Sequence, residues 1–181
     1  MKKAIAIMCI LCMGLVLFVS GCTEEDNTGT NNNNGGTTGN TVTMTAKEVN
    51  DDMAMDSDWS TYVKFLYNSL EDGDTLIIHD TIDEISYSSD TDRTTVTFDT
   101  SEGGDMSSSL NYPFEGDITS SYQTGDEVKI TGTIKYIEET YEQGGASMDY
   151  ELELFEEMWT NIDDYVANQG GALPSSSITK V

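Results

Sequence analysis

Residues 127–137 read EVKITGTIKYI and residues 148–155 read MDYELELF. In the first run Val128, Ile130, Ile134 and Tyr136 share a face around Gly132. In the second, Met148, Tyr150, Leu152 and Leu154 point one way and Asp149, Glu151 and Glu153 the other. Alternation of this regularity marks strands with one buried face and one wet face. Three more runs lie upstream. Asp74 to Tyr87, DTLIIHDTIDEISY, has apolar residues at 76, 78, 82 and 85. Its last step of three breaks the period of two and predicts a bulge or sharp bend near Asp83. Arg93 to Asp99 places Val96 and Phe98 together after a turn at Ser89–Asp92, and Ser108 to Phe114 alternates through Leu110, Tyr112 and Phe114. A loop, Gly116 to Gly125, joins the third and fourth runs.

Helices are expected on both sides of these strands. Thr45-Ala46-Lys47-Glu48 fits a capping box and predicts a short helix starting there. Trp59, Tyr62, Val63, Leu66 and Leu70 recur at helical spacing between Ser57 or Asp58 and Gly73, which predicts a second helix. Phe155, Met158, Trp159, Ile162, Tyr165 and Val166 predict a C-terminal helix, stopped by Gly170-Gly171 and Pro174.

The run Gly125-Asp126-Glu127-Val128-Lys129-Ile130-Thr131-Gly132-Thr133-Ile134, with the alternation of Asp149 to Leu154 behind it, resembles the last two strands of small secreted OB-fold proteins. These are the bacterial OB-fold and tRNA-anticodon-like groups, which also occur as lipoproteins. The likeness spans residues 72–157. It implies a β-rich α+β fold: a five-stranded OB-like β-barrel with short N-terminal helices and a C-terminal helix. A loop where many OB-folds carry a helix, and the extra C-terminal helix, depart from that pattern.

Ahead of the domain, residues 1–22 read MKKAIAIMCILCMGLVLFVSGC. Lys2 and Lys3 precede an apolar stretch, Ala4 to Val19, that is short for a membrane span. Val19-Ser20-Gly21-Cys22 looks like a lipobox, so residues 1–21 read as a lipoprotein signal peptide and Cys22 as the lipidated N-terminus. An uncleaved helical anchor is the alternative, and either tethers the chain to a membrane. A diacylglyceryl group supplies the two acyl chains that stable anchoring needs. Residues 22–43, rich in Thr, Asn, Gly and acids, read as the lipidated Cys and a flexible linker, and residues 44–181 as the domain. Cys9 and Cys12 leave with the signal, so the mature chain has neither free thiol nor disulfide, and its fold rests on its core.

The full chain of 181 residues carries 33 Asp and Glu against 8 Lys and Arg, a net charge of -25. Such a charge repels polyanions, and the outward positions of the second and third strands lack aromatic platforms. No nucleic-acid binding is expected. His79 is the single histidine and cannot build a histidine cluster. Calcium needs six to eight oxygens, and the EF-hand pattern is absent. Asp90 and Asp92 in the hairpin, joined by Glu138, Glu139 and Glu142, are the best candidates for a weak metal site; the alternative is a solvated acidic surface. Tyr87 and Tyr141 flank the same two connections and are candidate ligand-binding residues that could instead cap the core. The expected function is a membrane-anchored extracytoplasmic lipoprotein, non-enzymatic and without a cofactor. It would carry a binding or adaptor module for an unidentified envelope protein or small ligand, at the cell surface or in a periplasm. The alternative is a cation-responsive or salt-adapted structural protein of the cell envelope.

Overall fold

The computed structural model describes residues 39–58, 60–101, 108–166 and 171–181, all within one compact unit, 36–181. The signal peptide, Cys22 and most of the linker lie outside the described residues. In chain order the elements are β1 (Thr41–Met44), α1 (Ala46–Asp52), β2 (Met53–Asp58), β3 (Tyr62–Tyr67), β4 (Thr75–Thr81), β5 (Glu84–Ser88), β6 (Arg93–Asp99), β7 (Ser109–Glu115), β8 (Glu127–Gln143), β9 (Ala146–Phe155), α2 (Ile162–Val166) and β10 (Ile178–Lys180). The architecture is β-rich and barrel-like. The expectation of five strands is corrected: the described residues form ten.

The alternating runs all form strands. The long first run bends where its period breaks: β4 ends at Thr81, β5 starts at Glu84, and the two halves pair with different neighbours. β4 joins a sheet of order β1-β4-β8-β9-β3-β2, while β5 joins a second sheet, β5-β6-β7. The bend is held by Asp83, whose N–H donates to the Thr97 carbonyl at 2.9 Å, and by a reciprocal pair of bonds between Ile82 and the Gly125–Asp126 turn. On the other side Leu173 exchanges backbone bonds with Pro113 and Glu115 of β7, and β10 then pairs with Val128–Ile130 of β8. The C-terminal segment thus bridges the two sheets. Inside lie Leu76, Ile78, Val96, Phe98, Phe114, Ile130, Ile134 and Leu173, all essentially shut from solvent. Each such side chain contributes about 1.5–3 kcal/mol of burial.

The first helix forms as its capping box dictates. The Thr45 hydroxyl accepts from the Glu48 N–H at 3.2 Å, and the Glu48 carboxylate accepts from the Thr45 N–H at 2.7 Å. The second expected helix does not form. Its residues make the β2–β3 hairpin, and β3 runs parallel to β9. Tyr62-Val63-Lys64-Phe65-Leu66-Tyr67 is dense in aromatic and branched residues, and pairing with a partner strand overrides a weak helical stripe. The C-terminal helix is cut to Ile162–Val166, because Leu154 and Phe155 stay in the ladder opposite Lys135 and Ile134. The linker also ends sooner than read: Thr41–Met44 lies parallel to β4 as a strand. Among the described residues no helix is long and apolar enough to cross a membrane.

Candidate functional site

β8 is 17 residues long and serves two halves of the molecule. Its first half belongs to the barrel. Its second half, with β9, β3 and β2, forms a four-stranded wing. One face of the wing carries Val63, Ile137, Tyr150, Leu152 and Leu154, covered by Ile162 of α2. Tyr165 sits edge-on to Tyr150 and Trp159, with ring centroids 6.2 and 5.4 Å apart.

The opposite face is open. The strand registers set its side chains in rows: Asp58, Tyr62, Asp149 and Thr140; then Asp56, Lys64, Glu151 and Glu138; then Ala54, Leu66, Glu153 and Tyr136. Tyr62 and Tyr136 are 37% and 36% exposed, unusual for large aromatic residues inside strands. Six carboxylates thus surround one lysine. Lys64 Nζ lies 2.7 Å from Glu151 Oε2, and the Tyr62 hydroxyl donates to Asp56 at 3.1 Å. These carboxylates hold the Lys64 ammonium and the Tyr62 hydroxyl in their protonated forms: both pKa values are raised, chiefly by the hydrogen bonds to Glu151 and Asp56. Tyr136 is raised too, by its partial burial first and then by Glu138 and Glu151.

Where the face meets the barrel, Glu153 is buried with its carboxylate accepting the Tyr67 N–H at 2.7 Å. Desolvation pushes its pKa up, the Tyr67 bond opposes this, and Asp52, Asp72 and Glu71 add to the rise. Asp72 in turn accepts the Tyr136 N–H at 2.8 Å.

The residues singled out from the sequence fall in separate places. Tyr87 is exposed on β5, and its hydroxyl donates to Asp92 Oδ1 at 2.9 Å, which raises the Tyr87 pKa. Asp92 takes a positive φ of 50° in the turn and lines an open hollow of about 510 Å³ with Arg93, Glu115 and Glu157. Asp90 is exposed in the same turn. Tyr141 belongs to the wing, beside Met148 in the cluster under α2. The structure joins Tyr87 to Asp92 and places Tyr141 in the other core. The connection holding Glu138, Glu139 and Glu142 is not a loop but the end of the β8–β9 hairpin. Gly144 and Gly145, with φ of 64° and 86°, close it in two residues, as a type I′ turn requires. Among the described residues no group of three or more His, Cys, Asp or Glu is arranged to hold a metal ion. His79 Nε2 lies 2.8 Å from Glu127, at the barrel surface.

The sequence pattern hides Tyr62, Lys64 and Tyr136, because the apolar residues of 59–70 fit a helical stripe and Tyr136 alternates in step with the core residues of its strand. The signal that was there is the Tyr62–Tyr67 run, whose aromatic density fits a pleated surface. No family model, no curated protein and no solved structure matches this chain.

Proposed function

We propose that the chain is a membrane-anchored extracytoplasmic lipoprotein whose folded part is a non-enzymatic binding or adaptor module. On this reading Cys22 carries the lipid and the residues up to Asn40 are the tether. The barrel is OB-like, with β4 and β5 as one bent strand and the segment from Leu173 to β10 in the closing position. The single observation that carries a binding role is the open face of the wing. It spans four strands and displays two exposed tyrosines around a lone lysine among carboxylates. Exposed aromatic rings beside charged groups give contact area at low entropic cost, which suits recognition of another chain.

The test has two arms. Mass spectrometry of the mature protein should find Cys22 as an acylated N-terminus; an unmodified Cys22 or an intact Met1 rejects the anchor. A photo-crosslinker replacing Tyr62 or Tyr136 should capture a discrete envelope component, and one replacing Thr131 on the barrel exterior should not. Equal yields from all three positions would reject the open face as the binding surface.

A further inference from the structure

The second half of β8 has one side paired and one side bare. Ile134 still exchanges bonds with the chain entering β4: its N–H donates to Asp74 O and its carbonyl accepts from Gly73 N, both at 2.8 Å. Two residues on, the Tyr136 N–H points the same way and meets the Asp72 carboxylate, which stands where a strand would otherwise continue. Pairing with β9 runs unbroken from Ile134 to Gln143. Backbone groups alternate sides along an antiparallel ladder, so Glu138, Thr140 and Glu142 turn their N–H and C=O to the same side as Ile134 and Tyr136. Among the described residues no strand pairs with them, and all three are exposed.

We propose that this free edge of β8, residues 138–142, is a β-augmentation site for an extended, Lys- or Arg-bearing segment of a partner protein. The inference rests on the reading of the chain as a binding module and names its surface and the chemistry of its partner. Two features favour it. The edge is pre-organised, because β9 on its far side and the barrel half of the same strand hold it straight, so little ordering is left to the binding step. Its flanks are also acidic on both faces. Glu138 and Glu142 project on the open face with Glu151 and Asp149 in the next strand, and Glu139 projects on the other. A strand added here would lay alternate side chains beside these carboxylates, so basic residues fit and acidic ones do not. The same argument disfavours a second copy of this chain. Two β8 edges paired about a two-fold axis would set glutamates against glutamates, on a molecule of net charge -25.

The probe is a fluorescent octapeptide alternating lysine with threonine or valine, titrated onto the full chain in zwitterionic detergent at physiological ionic strength. Its control is the same peptide with every backbone nitrogen methylated, which keeps the side-chain charges but leaves no N–H on either edge to pair with a strand. The unmethylated peptide should bind at least about tenfold more tightly, the equivalent of one or two net backbone hydrogen bonds. It should also slow amide exchange at Glu138, Thr140 and Glu142. Thr140→Pro, which removes an outward donor, should abolish the difference between the two peptides. Should that variant not fold, Glu138→Lys with Glu142→Lys should weaken the unmethylated peptide by at least about tenfold while the amides of the β8–β9 ladder stay protected. Equal affinity of the two peptides means charge attraction alone and overturns the edge site. So does protection confined to β2. Either result leaves the crosslinking test of the open face standing, so failure of the edge and failure of the binding role are told apart.

Discussion

Replacing Gly132 with alanine tests the packing that joins the two halves of β8. Gly132 lies opposite Leu76 in the β4 ladder. A Cβ there would sit 2.4 Å from Cδ1 and 2.6 Å from Cε1 of Phe155. Ordinary contact requires the ring to retreat by about 1 Å. It has little room: Phe155 is buried, its centroid is 5.7 Å from that of Tyr112, and Tyr112 is itself edge-on to Phe98 at 6.3 Å. Overpacking of this kind costs about 1–3 kcal/mol. Alanine also restricts the unfolded chain, which offsets about 0.4–1 kcal/mol. The net loss should be about 1–2 kcal/mol, or roughly 3–8 °C in Tm for a domain of this size. Urea and thermal unfolding followed by circular dichroism read it directly. Phe155→Leu, which trims the ring, should be partly compensated in the Gly132→Ala background, with a coupling of about 1 kcal/mol. A neutral or stabilising Gly132→Ala, or strictly additive effects, would refute the argument that Phe155 occupies the glycine's missing side chain.

Three further outcomes follow from the geometry. Burial first raises the Glu153 pKa in the fold, so its contribution to stability is complete below its unfolded value and fades as pH climbs through the raised one. Glu153→Gln keeps an acceptor for the Tyr67 N–H and should flatten that part of the stability–pH curve; an unchanged curve contradicts the assignment. Asp74 is buried and accepts from Asn40 N at 2.7 Å and Glu71 N at 2.9 Å. Asp74→Ala should therefore destabilise by about 1–3 kcal/mol and Asp74→Asn by less, measured by chemical denaturation. Glu138 faces Glu151 directly across the β8–β9 ladder. Glu138→Lys should stabilise by about 0.2–1 kcal/mol, an effect that added sodium chloride shrinks. A calcium-induced rise in Tm beyond that of matched ionic strength would instead favour the cation-responsive reading.

Legibility in the sequence followed the strength of the local pattern. Arg93–Asp99 and the turn before it are recovered because alternation, turn residues and burial agree. The bend at Ile82–Asp83 was visible as a broken period. The capping box at Thr45 was visible because both of its bonds are local. The β2–β3 hairpin was not, since Tyr62, Val63, Leu66 and Leu70 satisfy a helical stripe equally well, and what decides between them is β9, 87 residues away. β1 and β10 are too short to carry a period. Ile137, buried beside the exposed Tyr136, marks where the burying face of β8 changes over, and alternation read as a single face cannot register such a change.

That changeover explains why the candidate surface is wet at all. Phe155 points into the barrel with Ile134 and Tyr112. Going back along β9 in steps of two, the residues on the same side are Glu153, Glu151 and Asp149. Had β9 continued as a barrel stave, it would have carried three carboxylates inward, and burying unpaired charge costs far more than the strand could return. Only the end of β9 is compatible with the barrel. The strand therefore leaves, turns Leu154, Leu152 and Tyr150 toward α2, and exposes its acids with Tyr62, Lys64 and Tyr136. The vacated position is filled by a segment whose apolar residues suit it, Leu173 and Ile178, both buried against the barrel core. The alternation that identified β9 as a strand is thus what forbids it from closing the barrel. It also leaves the second half of β8 with a partner on one side only.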